Sequence, residues 1–293
     1  MEQQPQIQWF PGHMAKTRRK IEECLPLVDV VAEVIDARIP ISSRNPQLDE
    51  ITANKPRLII LNKADMAETK ALRAWTTYFQ SKGYAVMTAD CKSGAGVQKF
   101  VPLLRELLAE KLQMQINKGI KNPLIRVMVV GIPNVGKSSL INKLVGGGKA
   151  KTEDRPGVTR NNQWFTVAGG VQLLDTPGVL WPKFEDITVA RHLAFTGAIK
   201  DQILDIEEMA CLLLEVLRRS HADLLISRYK LPEDMPHDGY KLLQLVAQKR
   251  GMLLRGGEMD TERAAVMLLD EYRGGKIGNL TLELPEDIHH DQL

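Results

Sequence analysis

The stretch LIRVMVVGIPNVGKSSL, residues 124–140, decides the fold because an apolar, β-branched run leads directly into a glycine loop and a helical segment. The loop matches the phosphate-binding pattern GxxxxGKS/T from Gly131 to Ser138. Glycines allow such a loop to turn its backbone N–H groups toward phosphate oxygens at a helix N-terminus. We expect Lys137 to reach the β- and γ-phosphates and Ser138 to bind Mg²⁺. The other loop positions expected to contact the nucleotide are Asn134, Val135, Gly136 and Ser139.

The segment DTPG, residues 175–178, ends a second apolar run, VQLL. A carboxylate at such a strand end can hold Mg²⁺ through water, so we assign this role to Asp175. Gly178 can present its backbone amide to the γ-phosphate without a side chain in the way. Within DRPGVTR, Thr159 is the candidate to complete the Mg²⁺ site when the γ-phosphate is present, with Thr152 as the alternative.

The tetrapeptide NKAD, residues 62–65, follows another strand-like run and predicts selection of guanine. The Asp65 carboxylate can accept both the N1–H and the 2-amino group of guanine, whereas adenine would leave the carboxylate unpaired. Asn62 can tie this loop to the phosphate loop, and the Lys63 stem can cover the face of the base. With the two phosphate motifs, this tetrapeptide predicts GTP as the substrate and GDP as the product.

A further loop leaves a strand at TADCKS, residues 88–93, and is placed to back the guanine base. Its candidate contacts are Cys91, Lys92 and Ser93, although Lys92 and Ser93 fit an ordinary loop equally well.

Strand-like and helix-like segments alternate along the first two thirds of the chain. The predicted strands are 28–36, 56–62, 84–90 and 124–130, followed by a hairpin over 162–175. Such alternation predicts an α/β fold with a doubly wound parallel sheet. Beyond residue 200 the apolar residues recur only with the period of a helix. We therefore predict a nucleotide-binding domain over 1–199, with a basic N-terminal segment at 7–26, and an all-helical domain over 200–293.

The guanine motif precedes the phosphate loop, which reverses the order found in a Ras-like domain. Cutting a Ras-like domain before its fourth strand and joining its old ends would produce this order, since nearby termini tolerate permutation. The segment 96–123 would then be the new join, and the site in space would be unchanged. The chain after DTPG, which responds to the γ-phosphate, would run straight into the helical domain. The expected fold is a circularly permuted Ras-like P-loop GTPase domain followed by helices.

The charge is uneven along the chain. Residues 200–293 hold 12 Lys and Arg against 18 Asp and Glu, whereas the remainder holds 27 against 18. A basic body with an acidic C-terminal part favours a polyanionic partner for the first part, although an unevenly charged, solvated surface would look the same.

Cysteine usage and hydropathy indicate the compartment. The three cysteines are far apart and form no metal or disulfide pattern, which is typical of a reducing environment. The N-terminus has no signal-like apolar region, and no apolar run approaches the roughly 20 residues of a membrane span. We expect a cytoplasmic protein without membrane contact.

Several longer segments resemble the bacterial ribosome biogenesis GTPase A family of circularly permuted GTPases. They are IQWFPGHMAK, DARIPISSRNP, LNKAD, GIPNVGKSSLIN, DRPGVTR and LLDTPGVLWPKF. The resemblance is dense from residue 7 to about 200 and looser beyond. It implies a factor that acts late in assembly of the large ribosomal subunit (pre-50S), contacts rRNA and ribosomal proteins, and hydrolyses GTP slowly until it meets the subunit.

The resemblance also bears on how GTP would be hydrolysed. Ras-like enzymes orient the attacking water with a glutamine after DxxG, but Val179 stands there and cannot form a hydrogen bond. The family points instead to His13 as the catalytic residue, because imidazole titrates near neutral pH. Alternatively, His13 only positions its segment or touches RNA. Asn134 resembles the asparagine of K⁺-activated GTPases, so K⁺ is an expected cofactor.

A short basic segment near the N-terminus could contact RNA phosphates beside two aromatic residues that could stack on an unpaired base. The residues are Trp9, Phe10, Lys16, Arg18, Arg19 and Lys20. Five more basic residues surround DRPGVTR, namely Lys143, Lys149, Lys151, Arg155 and Arg160. A rival interpretation is a GTP-dependent switch that binds a protein effector through its helical domain, without RNA. Nothing in the sequence indicates an obligate dimer, so we expect a monomer.

Overall fold

The computed structural model describes residues 11–146, 163–178, 180–181 and 186–288, and only the backbone over 11–17. Six strands form one sheet: β1 (Val30–Asp36), β2 (Arg57–Asn62), β3 (Ala85–Ala89), β4 (Ile125–Val130), β5 (Trp164–Val167) and β6 (Val171–Asp175). The helices of the first part are α1 (Pro11–Cys24), α2 (Gln47–Ile51), α3 (Thr69–Ser81), α4 (Phe100–Leu107), α5 (Ala109–Asn117) and α6 (Lys137–Val145). Those that follow are α7 (Ile187–Phe195), α8 (Ile206–Ser220), α9 (Ala222–Tyr229), α10 (Gly239–Lys249) and α11 (Thr261–Arg273).

The sheet has the strand order β3-β2-β1-β4-β6-β5. All neighbours are parallel except β5 and β6, which form the predicted hairpin. Every residue of β1 and β2 is buried, as expected for central parallel strands covered on both faces. The α/β fold class is therefore confirmed.

The register aligns the carboxyl ends of the parallel strands. Asp36 of β1 lies beside Asn62 of β2, and Asn62 lies beside Ala89 of β3. In an open α/β sheet, ligands bind outside this edge. The loops after β1, β2, β3, β4 and β6 therefore converge there, which brings motifs distant in sequence to one place.

Two apolar clusters anchor helices to the sheet. In the first, Ile21 and Cys24 of α1 pack with residues that include Met128 and Leu174. In the second, α3 places Trp75 and other apolar residues against β1 and β2. The sequence segment 96–119, which reads as one helix, is a 3-10 turn followed by α4 and α5, with the interruption at Leu108 (φ −108°, ψ 17°).

The chain divides into two compact units. Unit 1 comprises Met1–Glu185 together with Glu283–Leu293, and unit 2 comprises Asp186–Leu282. Unit 2 starts before the boundary predicted at residue 200, because α7 packs against α8 and α11. It also ends before the chain does.

Unit 2 is a bundle in which α8 contacts α10 and α11. Residues 200–293 were predicted to be all helical, and α8, α9, α10 and α11 lie in this range, whereas α7 lies before it. No helix within the described residues combines the length and apolar character that crossing a bilayer requires.

Candidate nucleotide-binding site

The phosphate loop joins β4 to α6 in a conformation that only certain residues tolerate. Asn134 and Gly136 have φ of 61° and 102°, in the left-handed region that asparagine and glycine occupy most readily. A Cβ added at Gly136 would collide with the side-chain amide of Asn62. Ser138 and Ser139 follow in the first turn of α6, where both are exposed. The loop therefore presents backbone N–H groups and two hydroxyls at a helix N-terminus.

Lys137 lies folded into this loop. Its ammonium donates hydrogen bonds to the carbonyl oxygens of Gly131 (2.9 Å) and Ile132 (2.8 Å). Burial lowers the pKa of Lys137 to about 8, although the negative charge of Asp175 opposes this shift. A phosphate group at the loop would offer this desolvated ammonium a charged partner.

The DTPG segment is held beside the phosphate loop. The Thr176 hydroxyl donates to the carbonyl of Val129 at 2.7 Å, which fixes the segment to β4. A Cβ added at Gly178 would lie 2.8 Å from Lys137 Nζ and 3.0 Å from the backbone nitrogen of Pro133. Gly178 thus allows the DTPG segment and the phosphate loop to approach each other closely.

The carboxylate of Asp175 is suited to hold a divalent cation through a water molecule. Burial raises the pKa of its carboxyl, and the charge of Lys137 opposes the shift. Its Oδ1 atom is buried and, among the described residues, accepts no hydrogen bond. Buried polar atoms are usually paired, so this orphaned oxygen fits the water shell of a bound Mg²⁺. Together with the exposed hydroxyl of Ser138, the residues present suit Mg²⁺.

Asn62 connects three loops. Its Nδ2 donates to the carbonyl of Val135 in the phosphate loop at 2.6 Å, and its Oδ1 accepts from the backbone N–H of Cys91 at 2.9 Å. Both polar atoms of the buried side chain are therefore used. A single side chain therefore joins the guanine loop, the phosphate loop and the TADCKS loop.

Lys63 is oriented by a residue that sequence reasoning missed. The Lys63 ammonium lies 2.8 Å from Asp36 Oδ2, and Arg38 pairs with the same buried carboxylate at 2.9 Å. Burial would raise the pKa of Asp36, but Arg38 and Lys63 outweigh it and hold the pKa well below its usual range. The sequence feature that could have identified Asp36 is its position as a carboxylate at the end of the apolar run VDVVAEVID.

The loop after β3 is shaped by Asp90 as well as by the predicted residues. Asp90 Oδ1 accepts from the backbone N–H groups of Lys92 (2.8 Å) and Ser93 (3.2 Å), an arrangement typical of an Asx turn. Burial raises the pKa of the Cys91 thiol to about 12, so Cys91 is a neutral packing residue. The side chains of Lys92, Ser93 and Asp65 are exposed to solvent.

Some predicted residues lie outside the described part of the chain. These are Thr152, Thr159 and Val179, the basic residues Lys149, Lys151, Arg155 and Arg160, the aromatic residues Trp9 and Phe10, and the side chains of His13 and Lys16. The backbone of His13 belongs to α1, which packs through Ile21 and Cys24 against the cluster containing Leu174, next to Asp175.

Comparisons with known proteins show which family the chain resembles. A family model described as "50S ribosome-binding GTPase" matches residues 126–244. The match starts in β4, before the phosphate loop, and leaves out β1, β2 and β3 with the guanine motif. A chain whose guanine-binding half has been moved to the front would give such a match.

Full-length relatives are similar over both halves. The chain is 48% identical to ribosome biogenesis GTPase A of Bacillus cereus, covering 96% of this chain and 95% of that protein. The corresponding protein of Thermotoga maritima is 34% identical, with 96% of each chain covered.

Solved structures match as well. A GDP-bound structure of YlqF is 31% identical with a TM-score of 0.65, covering 92% of this chain and 100% of that one. A GNP-bound structure of YlqF from T. maritima is 29% identical with a TM-score of 0.63, covering 93% and 100%. On the sequence identity over nearly the whole of both chains and on the arrangement of the guanine and phosphate loops, the chain belongs to the ribosome biogenesis GTPase A family.

Proposed function

We propose that this GTPase acts late in assembly of the large ribosomal subunit, binds pre-50S particles in its GTP state, and hydrolyses GTP there to permit its own release. The observation that carries the proposal is the side chain of Asn62, which holds the guanine loop, the base-backing loop and the phosphate loop together at one edge of the sheet. Membership of the ribosome biogenesis GTPase A family and the match to a 50S ribosome-binding GTPase model support the ribosomal partner.

At the base, Asp65 would accept the N1–H and the 2-amino group of guanine. Lys63, held by Asp36, would cover one face of the base, and the loop of Cys91, Lys92 and Ser93 would back it. Selectivity against adenine follows because adenine offers an acceptor at N1 and no 2-amino group.

At the phosphates, Lys137 would exchange its bonds to the loop carbonyls for bonds to the β- and γ-phosphate oxygens. Ser138, Thr159 and Asp175 would hold Mg²⁺, which supplies charge neutralisation on these oxygens when bound. The backbone amide of Gly178 would donate to the γ-phosphate.

His13 is the proposed residue that orients the attacking water, since Val179 occupies the position of the usual glutamine. Its helix, α1, packs on the cluster next to Asp175. The bound subunit would complete this arrangement, so hydrolysis would be slow before docking. We also expect Asn134 to help hold K⁺ beside the phosphates, and the protein to be a cytoplasmic monomer.

The basic residues of α1 would contact rRNA, and unit 2 would contact rRNA or ribosomal proteins. Arg19 is exposed on α1, and Arg18 is partly neutralised by an exposed pair with Glu22. The competing function is a switch that binds a protein effector through unit 2 without RNA. It is favoured by the direct connection from DTPG into unit 2 and by the acidic balance of residues 200–293.

The test is GTP turnover by the wild type and by His13→Ala, with and without purified large subunits, in K⁺ and then in Na⁺. We expect strong stimulation of the wild type by subunits, higher turnover in K⁺, and loss of stimulation in His13→Ala with GTP binding retained. His237→Ala, which removes an exposed histidine of unit 2, is the control and should behave as the wild type. Absence of any effect of subunits would overturn the ribosomal partner and favour the effector switch.

A further inference from the structure

The chain returns to the nucleotide-binding unit after the helical bundle. Unit 2 ends at Leu282, and the segment Glu283–Ile288, here called the return segment, belongs to unit 1. Its Leu284 and Ile288 pack against the apolar cluster that α3 forms with β1 and β2. Unit 2 is therefore joined to unit 1 at two places, after DTPG and through the return segment.

Glu283 makes the polar contacts of the return segment. Its carboxylate accepts the backbone N–H of Ile41 at 2.7 Å and that of Ser42 at 3.1 Å, and it also accepts the Ser42 hydroxyl. Its own carbonyl accepts the indole N–H of Trp75 at 2.8 Å. Hydrogen bonds to a charged acceptor are stronger than neutral ones, so the carboxylate holds the Ile41–Ser42 segment firmly. The backbone carbonyl of the same residue adds a neutral bond to α3 through Trp75.

In the sequence, one of the two segments held by Glu283 precedes the guanine loop and the other follows it. The segment with Ile41 and Ser42 follows β1 and leads, through the bond from the Asp36 N–H to the Ser43 hydroxyl (3.0 Å), to the carboxylate that orients Lys63.

On the other side, Trp75 belongs to α3, which starts just after Asp65. Trp75 packs in one cluster with Ala71 of α3 and with Ala67, which lies between the guanine loop and α3. Displacing Glu283 would loosen the supports before and after the guanine loop at once.

We propose that Glu283 is a positioning residue for guanine recognition, through which the return segment holds the Lys63–Asp65 loop in its base-binding conformation. The proposal rests on the proposed function, since it assumes that this loop binds guanine. It assigns a role at the base end of the site to a residue more than 200 positions away in sequence.

The test compares the wild type with Glu283→Gln, a substitution of the same size that removes the charge and one acceptor oxygen. We expect dissociation of fluorescent mant-GDP to become about fivefold faster or more, within the usual range of coupling between sites. The KM for GTP should rise by a similar factor while kcat stays unchanged, because the phosphate loop is not touched. Glu286→Gln, which changes an exposed acid of the same segment, should leave both values unchanged.

A merely structural role would predict a lower melting temperature with the same mant-GDP dissociation rate and the same KM, and that result would overturn the proposal. Ser42→Ala should also speed dissociation, and the double variant with Glu283→Gln should show less than the sum of the two effects. If the two substitutions had additive effects on the dissociation rate, Glu283 would not act through its contact with Ser42. If the wild type itself bound no guanine nucleotide, the proposed function would fail, and this proposal with it.

Discussion

At the scale of single residues, the site contains buried charged side chains, among them Lys137 and Asp36. Lys137 is buried in the phosphate loop, where its ammonium donates to the carbonyl oxygens of Gly131 and Ile132, and burial brings its pKa to about 8. Asp36 is buried as well, but two cations hold its pKa low. The carboxylate of Asp175 offsets only part of the burial of Lys137, whereas Arg38 and Lys63 more than offset the burial of Asp36.

The pKa of Lys137 predicts proton uptake on nucleotide binding. At pH 8 about half of the lysine is neutral in the free protein, and the phosphates of GDP will raise its pKa. Binding should therefore take up about half a proton at pH 8, about a tenth at pH 7, and should weaken as the pH rises above 8. Calorimetric titration with GDP in two buffers of different ionisation enthalpy measures this uptake.

The control for proton uptake is Lys137→Arg, because a guanidinium stays protonated throughout this range. Its uptake at pH 8 should vanish. Equal uptake by the wild type and this variant would show that another group takes up the proton.

The close contact at Gly178 predicts that a larger residue there lowers GTP turnover but leaves GDP affinity almost unchanged. A methyl group in Gly178→Ala would meet Lys137 Nζ and the backbone of Pro133, at the place proposed above for the γ-phosphate. We expect GTP turnover to fall by about tenfold or more, as for loss of a transition-state contact, while GDP affinity changes little. Turnover assays and mant-GDP titrations give the two values. Equal losses for GTP and GDP would indicate general damage to the phosphate loop.

At the scale of elements, caps and close contacts define the helices of unit 2. α8, α10 and α11 are preceded by the N-cap residues Asp205, Asp238 and Asp260, and each of these side chains accepts a backbone N–H of the first turn. Such caps contribute about 1 kcal/mol each. At the start of α10, Gly239 allows a close approach to Cys211 of α8.

Gly239→Ala therefore tests the packing of α8 against α10. The added Cβ would lie 2.6 Å from the Cys211 carbonyl oxygen, which is backbone and cannot move freely. We expect the free energy of unfolding of unit 2 to fall by about 1–3 kcal/mol, as in overpacked cores. Urea denaturation followed by circular dichroism gives this value. Alanine normally stabilises a helix relative to glycine, so a more stable variant would contradict the close contact.

At the scale of the whole molecule, the two parts of the chain differ in charge and are connected at two points. The part before residue 200 carries the basic excess and the nucleotide site, and the acidic balance lies in the remainder. The permuted order places unit 2 directly after DTPG, and the return segment adds a second connection near the guanine loop.

The basic excess predicts salt-dependent binding to large subunits. If lysines and arginines displace counterions from rRNA, the logarithm of the association constant should fall linearly with the logarithm of salt concentration. Arg19→Glu on α1 should weaken binding and reduce the slope. Arg73→Glu, which reverses an exposed arginine on α3, is the matched control. Sedimentation with purified subunits at several KCl concentrations measures both. A flat salt dependence would favour a protein effector.

The sequence alone determined the sheet, its permuted order and the main loops of the nucleotide site. Each of these depends on local information: buried strands are continuous apolar runs, and Gly131–Ser138 and Asn62–Asp65 are contiguous motifs. The carboxyl ends of parallel strands share one edge, so local motifs were enough to place these loops together.

Only the tertiary structure decided what holds these loops in position. The pairing of Asp36 with Lys63, the two bonds of Asn62, and the contact of Glu283 with Ile41 and Ser42 join residues separated by tens to hundreds of positions. Contacts between distant residues also set the limits of the helical unit, since α7 packs with α8 and the chain returns to unit 1 after Leu282. A hydrogen bond between distant residues depends on their separation in space, and no periodicity or spacing in the sequence encodes that distance.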